Sequence, residues 1–377
     1  MKIKDIKTHF LVTKLEHPFS FSQWWYDERK ACLVEVITDD GIIGWGECYG
    51  LARPIQTIIE EEFKKFLIGE DPRDIDKHWE FLYNRYRDYG QKGLIIEAIS
   101  GIDIALWDIF GKSVGLPVYK LLGGAIRQEV QAYATGLYQQ KVDDPISMLQ
   151  KEAEQYLKAG FKAVKMKVGF GIEKDFQYVK AVRECIGPDV KLMIDANHAY
   201  DAVEAIKIGH MVEDLNIFFF EEPVPPEDIN GYIECKKALI IPIAGGECEF
   251  TRFGFRHILE KRAIDIIQPE TCSAGGLSEC KKIAVMANAF GVRCNPHCWG
   301  TGTALAATLH LLAVLPYNPL SMNPVSPMLE FDQTEHPFRL ELLEEPIFQN
   351  NGYVKVPQGP GLGIEINRNA LEKYEVK

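Results

Sequence analysis

The chain has 377 residues, 46% hydrophobic and 25% charged, and a formal net charge of -12. That length suggests two domains, or one large domain with an appendage, and no window holds the ~18 uninterrupted apolar residues that a membrane-spanning helix needs. The acidic balance excludes nucleic acid and anionic membrane surfaces as expected partners, and a small acidic ligand would need a local cluster of cations.

The N-terminal stretch MKIKDIKTHFLV alternates apolar and polar residues as a strand does, instead of offering the continuous apolar core of a signal peptide. Nine cysteines, scattered and without a C-x-x-C pair, read as reduced thiols, so a cytoplasmic location is expected. CLVEVITDDGIIGWGEC places a turn signal between apolar runs and helical periodicity continues through EAISGIDIALWDIFGK, so residues 1–125 read as a separate α+β domain.

From residue 126 to 332 the rhythm changes. The short apolar runs VQAYAT, AVKMKVG, KLMIDAN, IFFFEEP, IPIAGGE, IDIIQPE, VRCNPHC and, less clearly, SPMLEFD recur with stretches of helical spacing between them. Strand and helix in alternation predict parallel βα units and a (β/α)8-type barrel one element short of ideal. A doubly wound sheet is the rival, but no G-x-G-x-x-G follows a strand. Residues 333–377, with GYVKVPQGPGLGIEI, read as a segment that packs back on the first domain.

Within AVKMKVG, Lys165 and Lys167 share one face of the strand while Val164, Met166 and Val168 share the other. Lys167 is followed by Asp195 after 28 residues, Glu221 after 26, Glu247 after 26, Glu270 after 23 and His297 after 27. This is the spacing of the βα repeat, and it sets all of them on the C-terminal rim of a barrel, where such folds keep their chemistry. Asp195, Glu221 and Glu247, from three consecutive strands, would repel one another without a cation, and an all-oxygen set suits Mg2+ better than zinc. Glu222 follows Glu221 directly, so it is expected to point away and support the site. His297, with Glu270 to hold its imidazole, is a general acid/base candidate, and Glu330 adds an acid on the last strand. Cys294 and Cys298 flank His297 but lack the closed, correctly spaced set that a thiolate metal site requires.

These residues together, with SGIDIALWDIFGK and PHCWGTG, resemble the enolase superfamily in its mandelate racemase subgroup. The resemblance implies a modified TIM barrel, (β/α)7β, under an N-terminal α+β capping domain that the C-terminal tail completes, with capping loops at about residues 17–30 and 48–55. It implies Mg2+ held by Asp195, Glu221 and Glu247, and removal of the proton α to a carboxylate. Lys167 would be the base on one face, with its pKa lowered by Lys165 and Mg2+; Lys165 would also bind the substrate carboxylate. His297 would act on the other face, and Glu330 would hydrogen-bond an enediolate oxygen. The family usually pairs this histidine with aspartate; with Glu270 the pair either survives with shifted geometry or His297 is tuned differently.

IDANHAY, which carries Asn197, together with PHCWGTG, MLEFD and GPGLGIEINRNALEKY, looks most like the D-galactarolactone cycloisomerases, with acid-sugar dehydratases next and 2-hydroxy-acid racemases or epimerases third. In HPFSFSQWWYDERK the residues Trp24, Trp25, Tyr26 and Arg29 are expected to meet a sugar acid or lactone, with packing of the lid an equal reading for the three aromatics. A homo-oligomer is expected from the family, and a barrel that binds an acidic ligand without turnover is the reading from another class.

Overall fold

A computed structural model describes residues 1–376. Strands β1 (Ile3–Ser20), β2 (Trp25–Thr38) and β3 (Ile43–Cys48) form an antiparallel meander. The alternation seen in the sequence buries one face, on which the helix Leu94–Val114 lies. That helix is apolar almost all round because its other side packs against the second half of the chain: Trp107 Nε1 donates to Ser278 Oγ at 2.9 Å, and Asp103 accepts from the Ser278 amide at 3.0 Å. The last helix, Arg368–Tyr374, returns to β1, where the Val376 amide donates to the Phe10 carbonyl at 2.8 Å.

Eight parallel strands form the catalytic half: β4 (Glu129–Thr135), β5 (Ala163–Lys167), β6 (Lys191–Asp195), β7 (Ile217–Glu221), β8 (Ile243–Gly245), β9 (Ile266–Ile267), β10 (Arg293–Cys294) and β11 (Leu329–Asp332). Neighbours pair in order from β4 to β10, and β11 pairs with β4 from Leu329↔Ala132 to Asp332↔Thr135. Between β10 and β11 side chains carry the join: Asn295 Oδ1 accepts from the Met328 amide at 3.3 Å and Glu330 Oε2 from the Cys298 amide at 3.2 Å. Each of the first seven strands is followed by a long helix, from Pro145–Lys158 to Gly302–Val314. This is the (β/α)7β barrel, and the short βs at β8 to β10 are placed by the repeat more than by their own length.

Period 2 divides the barrel strands by face. Val164, Met166, Leu192, Ile194 and Phe220 join the large core under the helices. Tyr133, Ala163, Met193, Phe219, Ala244, Ile266 and Met328 form a separate apolar cluster. Two residues further along four of the strands stand Lys165, Asp195, Glu221 and Glu330, all buried. An apolar floor therefore lies under a charged rim.

Residues 17–30 are less of a loop than expected. His17 to Ser20 extend β1 and Trp25 to Lys30 begin β2, with Phe19↔Tyr26 and Ser20↔Trp25 in register, so only the turn at Phe21–Trp24 is free of the ladder. Strand alternation simply continues to the tip.

The sheet and the Leu94–Val114 helix touch through glycines. A Cβ at Gly46 would lie 1.9 Å from the Gly101 carbonyl oxygen, a backbone atom that cannot swing away. Gly46→Ala is accordingly expected to cost about 3 kcal/mol through overpacking, read as a lower urea midpoint; an unchanged midpoint would show that the sheet and helix can part without loss.

Candidate active site

Register aligns the rim. Lys167 pairs with Asp195 and Asp195 with Glu221 as direct neighbours on β5, β6 and β7. Lys165, one inward position lower, is 1% exposed. Its Nζ donates to both oxygens of Glu221 at 2.8 Å and lies 2.8 Å from Glu330 Oε1 and 3.3 Å from Asp195 Oδ2. Lys167 Nζ donates to Asp195 Oδ2 at 2.5 Å and to Asn197 Oδ1 at 2.8 Å, and lies 5.1 Å from the centre of the Tyr138 ring.

The charge of each lysine, before any cation enters, is set by its neighbours. Burial pulls the Lys167 ammonium down and Lys165 adds to that pull, but Asp195 and, less strongly, Glu247 outweigh them, so before any cation enters its pKa is raised. Lys165 is likewise raised: burial opposes its charge, and Glu221 and Glu330 more than restore it. Lys165 also lies beneath the cavity described below and is not among the side chains that line it. Its contacts are with carboxylates of the protein, so a direct grip on a substrate carboxylate does not follow from this arrangement.

His297 stands three residues beyond β10, 5% exposed. Its Nδ1 is 2.7 Å from Glu270 Oε2, and the other oxygen of Glu270 accepts from the Cys272 amide at 3.0 Å. The extra methylene relative to aspartate is thus absorbed without loss of the pair. His297 Nε2 faces Glu247 Oε2 at 3.5 Å and Glu330 Oε2 at 3.8 Å, and Tyr49 from the capping domain meets the ring edge-on at 5.8 Å. Burial lowers this imidazole, but Glu247, Glu330 and Glu270 together raise it to about 10.

Lys167, His297, Glu247, Glu330 and Asn197 open on one cavity of about 210 Å3, roofed by Phe21, Gln23, Trp24, Tyr26 and Trp299. The tip of the β1–β2 turn is fastened to the end of β6: Ser22 Oγ donates to the Ala196 carbonyl at 2.8 Å and Gln23 Nε2 to the Asn197 carbonyl at 2.7 Å. Of the four capping residues expected at the substrate, Trp24 and Tyr26 line this cavity and Trp25 and Arg29 do not. Arg29 is held by Asp332 at 2.9 Å, by Thr334 Oγ1 and by the Glu335 carbonyl at 3.2 Å, and stacks on Trp299 at 4.2 Å; Trp25 lies under Lys141 at 4.8 Å. Parity explains part of the split, because Tyr26 falls on one face of β2 and Trp25 and Arg29 on the other, while Trp24 belongs to the turn. Tyr138, Tyr49 and Trp299 line the cavity unanticipated. Tyr138 follows the end of β4, a position equivalent to those used for the charged residues, and could have been picked out by the same repeat.

Six carboxylates gather here, Asp195, Glu221, Glu222, Glu247, Glu270 and Glu330, against the cations of Lys165, Lys167 and His297. Burial first, with Asp195, Glu330 and Glu247 adding and Lys165 opposing, pushes Glu221 up to about 8. Glu222 is 1% exposed, and neither of its carboxylate oxygens has a hydrogen-bond partner. A donor set this rich in buried oxygen and this short of positive charge fits a hard divalent cation. Asp195, Glu221 and Glu247 point toward Lys167, Lys165 and His297 respectively. The His, Cys, Asp and Glu ligand atoms that already lie mutually within 4.8 Å, among the described residues, come from His198, Glu222 and Cys248 instead.

The family model described as the mandelate racemase / muconate lactonizing enzyme N-terminal domain matches residues 5–123, and the enolase C-terminal domain-like model matches residues 148–370. This chain belongs to that family. Members of the mandelate racemase / muconate lactonizing enzyme family to which it is similar along its whole length include a D-galactarolactone cycloisomerase of Agrobacterium fabrum, 47% identical over 100% of this chain and 99% of the relative. An arabinonate dehydratase of Saccharolobus solfataricus is 38% identical over 100% of both chains. The crystal structure of the 3,6-anhydro-D-galactonate cycloisomerase from Zobellia galactanivorans superposes with a TM-score of 0.91 at 43% identity, covering 100% of each chain. The chain is an enolase-superfamily enzyme, and the cavity lies at the rim where its barrel brings the ionisable strand ends together. No helix among the described residues is long and apolar enough to cross a membrane.

The raised His297 pKa has a measurable sign. In protein freed of divalent cations, the stability contributed by this imidazolium is complete below about 6.5 and is lost as pH climbs through about 10. Histidine NMR is expected to show one imidazole still protonated well above neutrality, and Glu270→Gln to move it down without returning it to its ordinary value, since Glu247 and Glu330 act more strongly. A His297 that titrates near neutrality in the unaltered protein would contradict this electrostatic reading.

Proposed function

We propose that this enzyme removes the proton α to the carboxylate of a sugar acid or its lactone and then eliminates the β-substituent, giving a keto-deoxy acid. The observation that carries the proposal is the pairing, across one cavity of about 210 Å3, of the Lys167 ammonium on β5 with the Glu270-held His297 beyond β10. A proton can be taken from one side and supplied on the other.

Asp195, Glu221 and Glu247 are the residues that would hold Mg2+. The ion, when bound, would stabilise the negative charge that develops on the substrate carboxylate as the α-proton leaves. In this reading Asp195 is the residue that decides Lys167, because the carboxylate that now holds Nζ as an ammonium would be shared with the cation; Nζ would then give up one proton to solvent and, as the neutral amine, take the α-proton. Asn197 Oδ1 fixes Nζ in direction. Lys165 keeps Glu221 and Glu330 in place from below. Glu330 faces the cavity and accepts from Thr135 Oγ1 at 2.7 Å and the Cys298 amide at 3.2 Å; despite its burial, Lys165 and His297 hold it as a carboxylate, so it would hydrogen-bond an enediolate oxygen only after gaining a proton. Trp24, Tyr26 and Trp299 exclude water above it.

Bond by bond, the α C–H electrons form the new C=C as its proton passes to Lys167 Nζ, and the β C–O bond breaks with its electrons on the departing oxygen; the enol so formed becomes the keto-deoxy acid by gaining a proton at the β-carbon and losing its hydroxyl proton. From a lactone that oxygen leaves as a carboxylate and needs no proton, which favours the cycloisomerase reading alongside the 47% identical relative. A second reading, dehydration of a linear aldonate or aldarate, is supported by the arabinonate dehydratase, 38% identical over the full chain. There the leaving hydroxide takes the proton of His297 Nε2.

Incubation with Mg2+ in heavy water and a panel of aldonates, aldarates and their lactones, followed by NMR, is expected to yield a keto-deoxy acid from a lactone. Product from linear acids alone would shift the assignment to dehydratase, and deuterium uptake without elimination to epimerase. Lys167→Ala is expected to lower turnover by about 10³-fold or more, and His297→Asn by a comparable factor on any substrate that loses hydroxide. Full activity after exhaustive treatment with a chelator would overturn the metal-assisted mechanism.

A further inference from the structure

Beside the acidic rim, His198, Glu222 and Cys248 form a cluster for which the proposed reaction has no use. Each offers one ligand atom, and the three atoms lie within 4.8 Å of one another. His198 Nε2 is 3.2 Å from Glu222 Oε2 and 3.6 Å from Cys248 Sγ. With zinc-to-nitrogen and zinc-to-oxygen distances of about 2.0 Å and zinc-to-sulfur of about 2.3 Å, a tetrahedral ion spaces nitrogen and oxygen by about 3.3 Å and nitrogen and sulfur by about 3.5 Å. The two measured edges are those of such a tetrahedron.

Independent of spacing, Glu222 is a buried carboxylate in want of a partner. It is 1% exposed, and both its oxygens lack a hydrogen bond even though His198 stands within ion-pair distance, because the contact is not aligned for one. The backbone also aims the cluster. Glu222, the residue just past β7, has φ of +44°, and His198 has φ of +65°. Both are left-handed values that a residue with a side chain adopts at a cost of about 1–3 kcal/mol and that surrounding structure must enforce. Glu222 therefore does not simply point away behind Glu221, as strand alternation predicts; it turns toward the end of β6 and the loop after β8.

We infer that His198, Glu222 and Cys248 form a second metal site, specific for a thiophilic divalent ion such as Zn2+, with its fourth position open to the substrate cavity. His198 and Cys248 both line that cavity, so the open position faces it. The donor set separates this site from Asp195, Glu221 and Glu247: those three offer only oxygen, whereas nitrogen and sulfur here select a softer ion than Mg2+. Cys248 is an exposed thiol at the edge of the cavity. Sulfur binds Zn2+ and Co2+ strongly, as the thiolate, and does not bind Mg2+.

Co2+ is the probe. Full-length protein in excess Mg2+ is titrated with Co2+ and followed by absorbance, with no substrate present, so the readout is independent of turnover and of the reaction proposed above. One equivalent is expected to produce a thiolate-to-cobalt charge-transfer band with the visible bands of four-coordinate Co2+, and Zn2+ to abolish both. Cys248→Ser is expected to remove the charge-transfer band, and His198→Gln to weaken Co2+ binding at least tenfold. No charge-transfer band in the unaltered protein would overturn the site, as would a band that survives in folded Cys248→Ser, which would place the thiolate at one of the other eight cysteines.

Discussion

The ammonium of Lys165 is the point on which the active site depends. It is reached by carboxylates from three strands, Asp195 of β6, Glu221 of β7 and Glu330 of β11, all within 3.3 Å. A buried charge left unpaired would cost several kcal/mol, and so would each of the carboxylates. Together they satisfy one another, and they do so across the barrel and not merely between neighbours. One consequence is geometric: β11 is joined to the β5–β7 side through a side chain as well as through its ladder to β4. Another is electrostatic, because Lys165 serves only part of the negative charge around it and leaves the rim demanding more.

That demand shapes what the rim can do. The apolar cluster around Tyr133, Met193 and Phe219 keeps water from below, so the charges interact strongly and their protonation is set by one another more than by solvent. His297 is held as a cation by three carboxylates, Lys167 by Asp195. Any ion that enters among these carboxylates changes both at once, which links metal binding to acid–base state without movement of the backbone.

The capping domain is fixed to this rim by polar contacts made at the ends of β3. Glu47 accepts from the Thr301 amide at 2.9 Å, from Thr301 Oγ1 at 2.6 Å and from the Ala304 amide at 2.9 Å. It thereby caps the first turn of the Gly302–Val314 helix at its positive end, although burial pushes its pKa up to about 7. Two residues later the Tyr49 amide donates to the Cys272 carbonyl at 2.9 Å, and the Tyr49 ring meets His297. The roof and the acid–base pair are positioned by the same short stretch, so the cavity is a joint product of the two halves of the chain.

Periodicity made much of this legible. Two lysines two residues apart must share a face, and ionisable residues spaced by the βα repeat must share a rim; these are local properties of strands and of a repeat, and they hold before the chain folds. The same rule would have separated Tyr26 from Trp25 and Arg29 had residues 25–30 been recognised as strand. What only the tertiary structure decided is which charges meet. Lys165 lies below the cavity and Lys167 within it, Glu270 keeps its bond to His297 despite an added methylene, and Glu222 turns to His198 and Cys248. These outcomes depend on contacts between residues 24 to 165 positions apart, on buried carboxylates that raise the lysine pKa values against burial, and on left-handed backbone at single residues, none of which a pattern along the chain encodes.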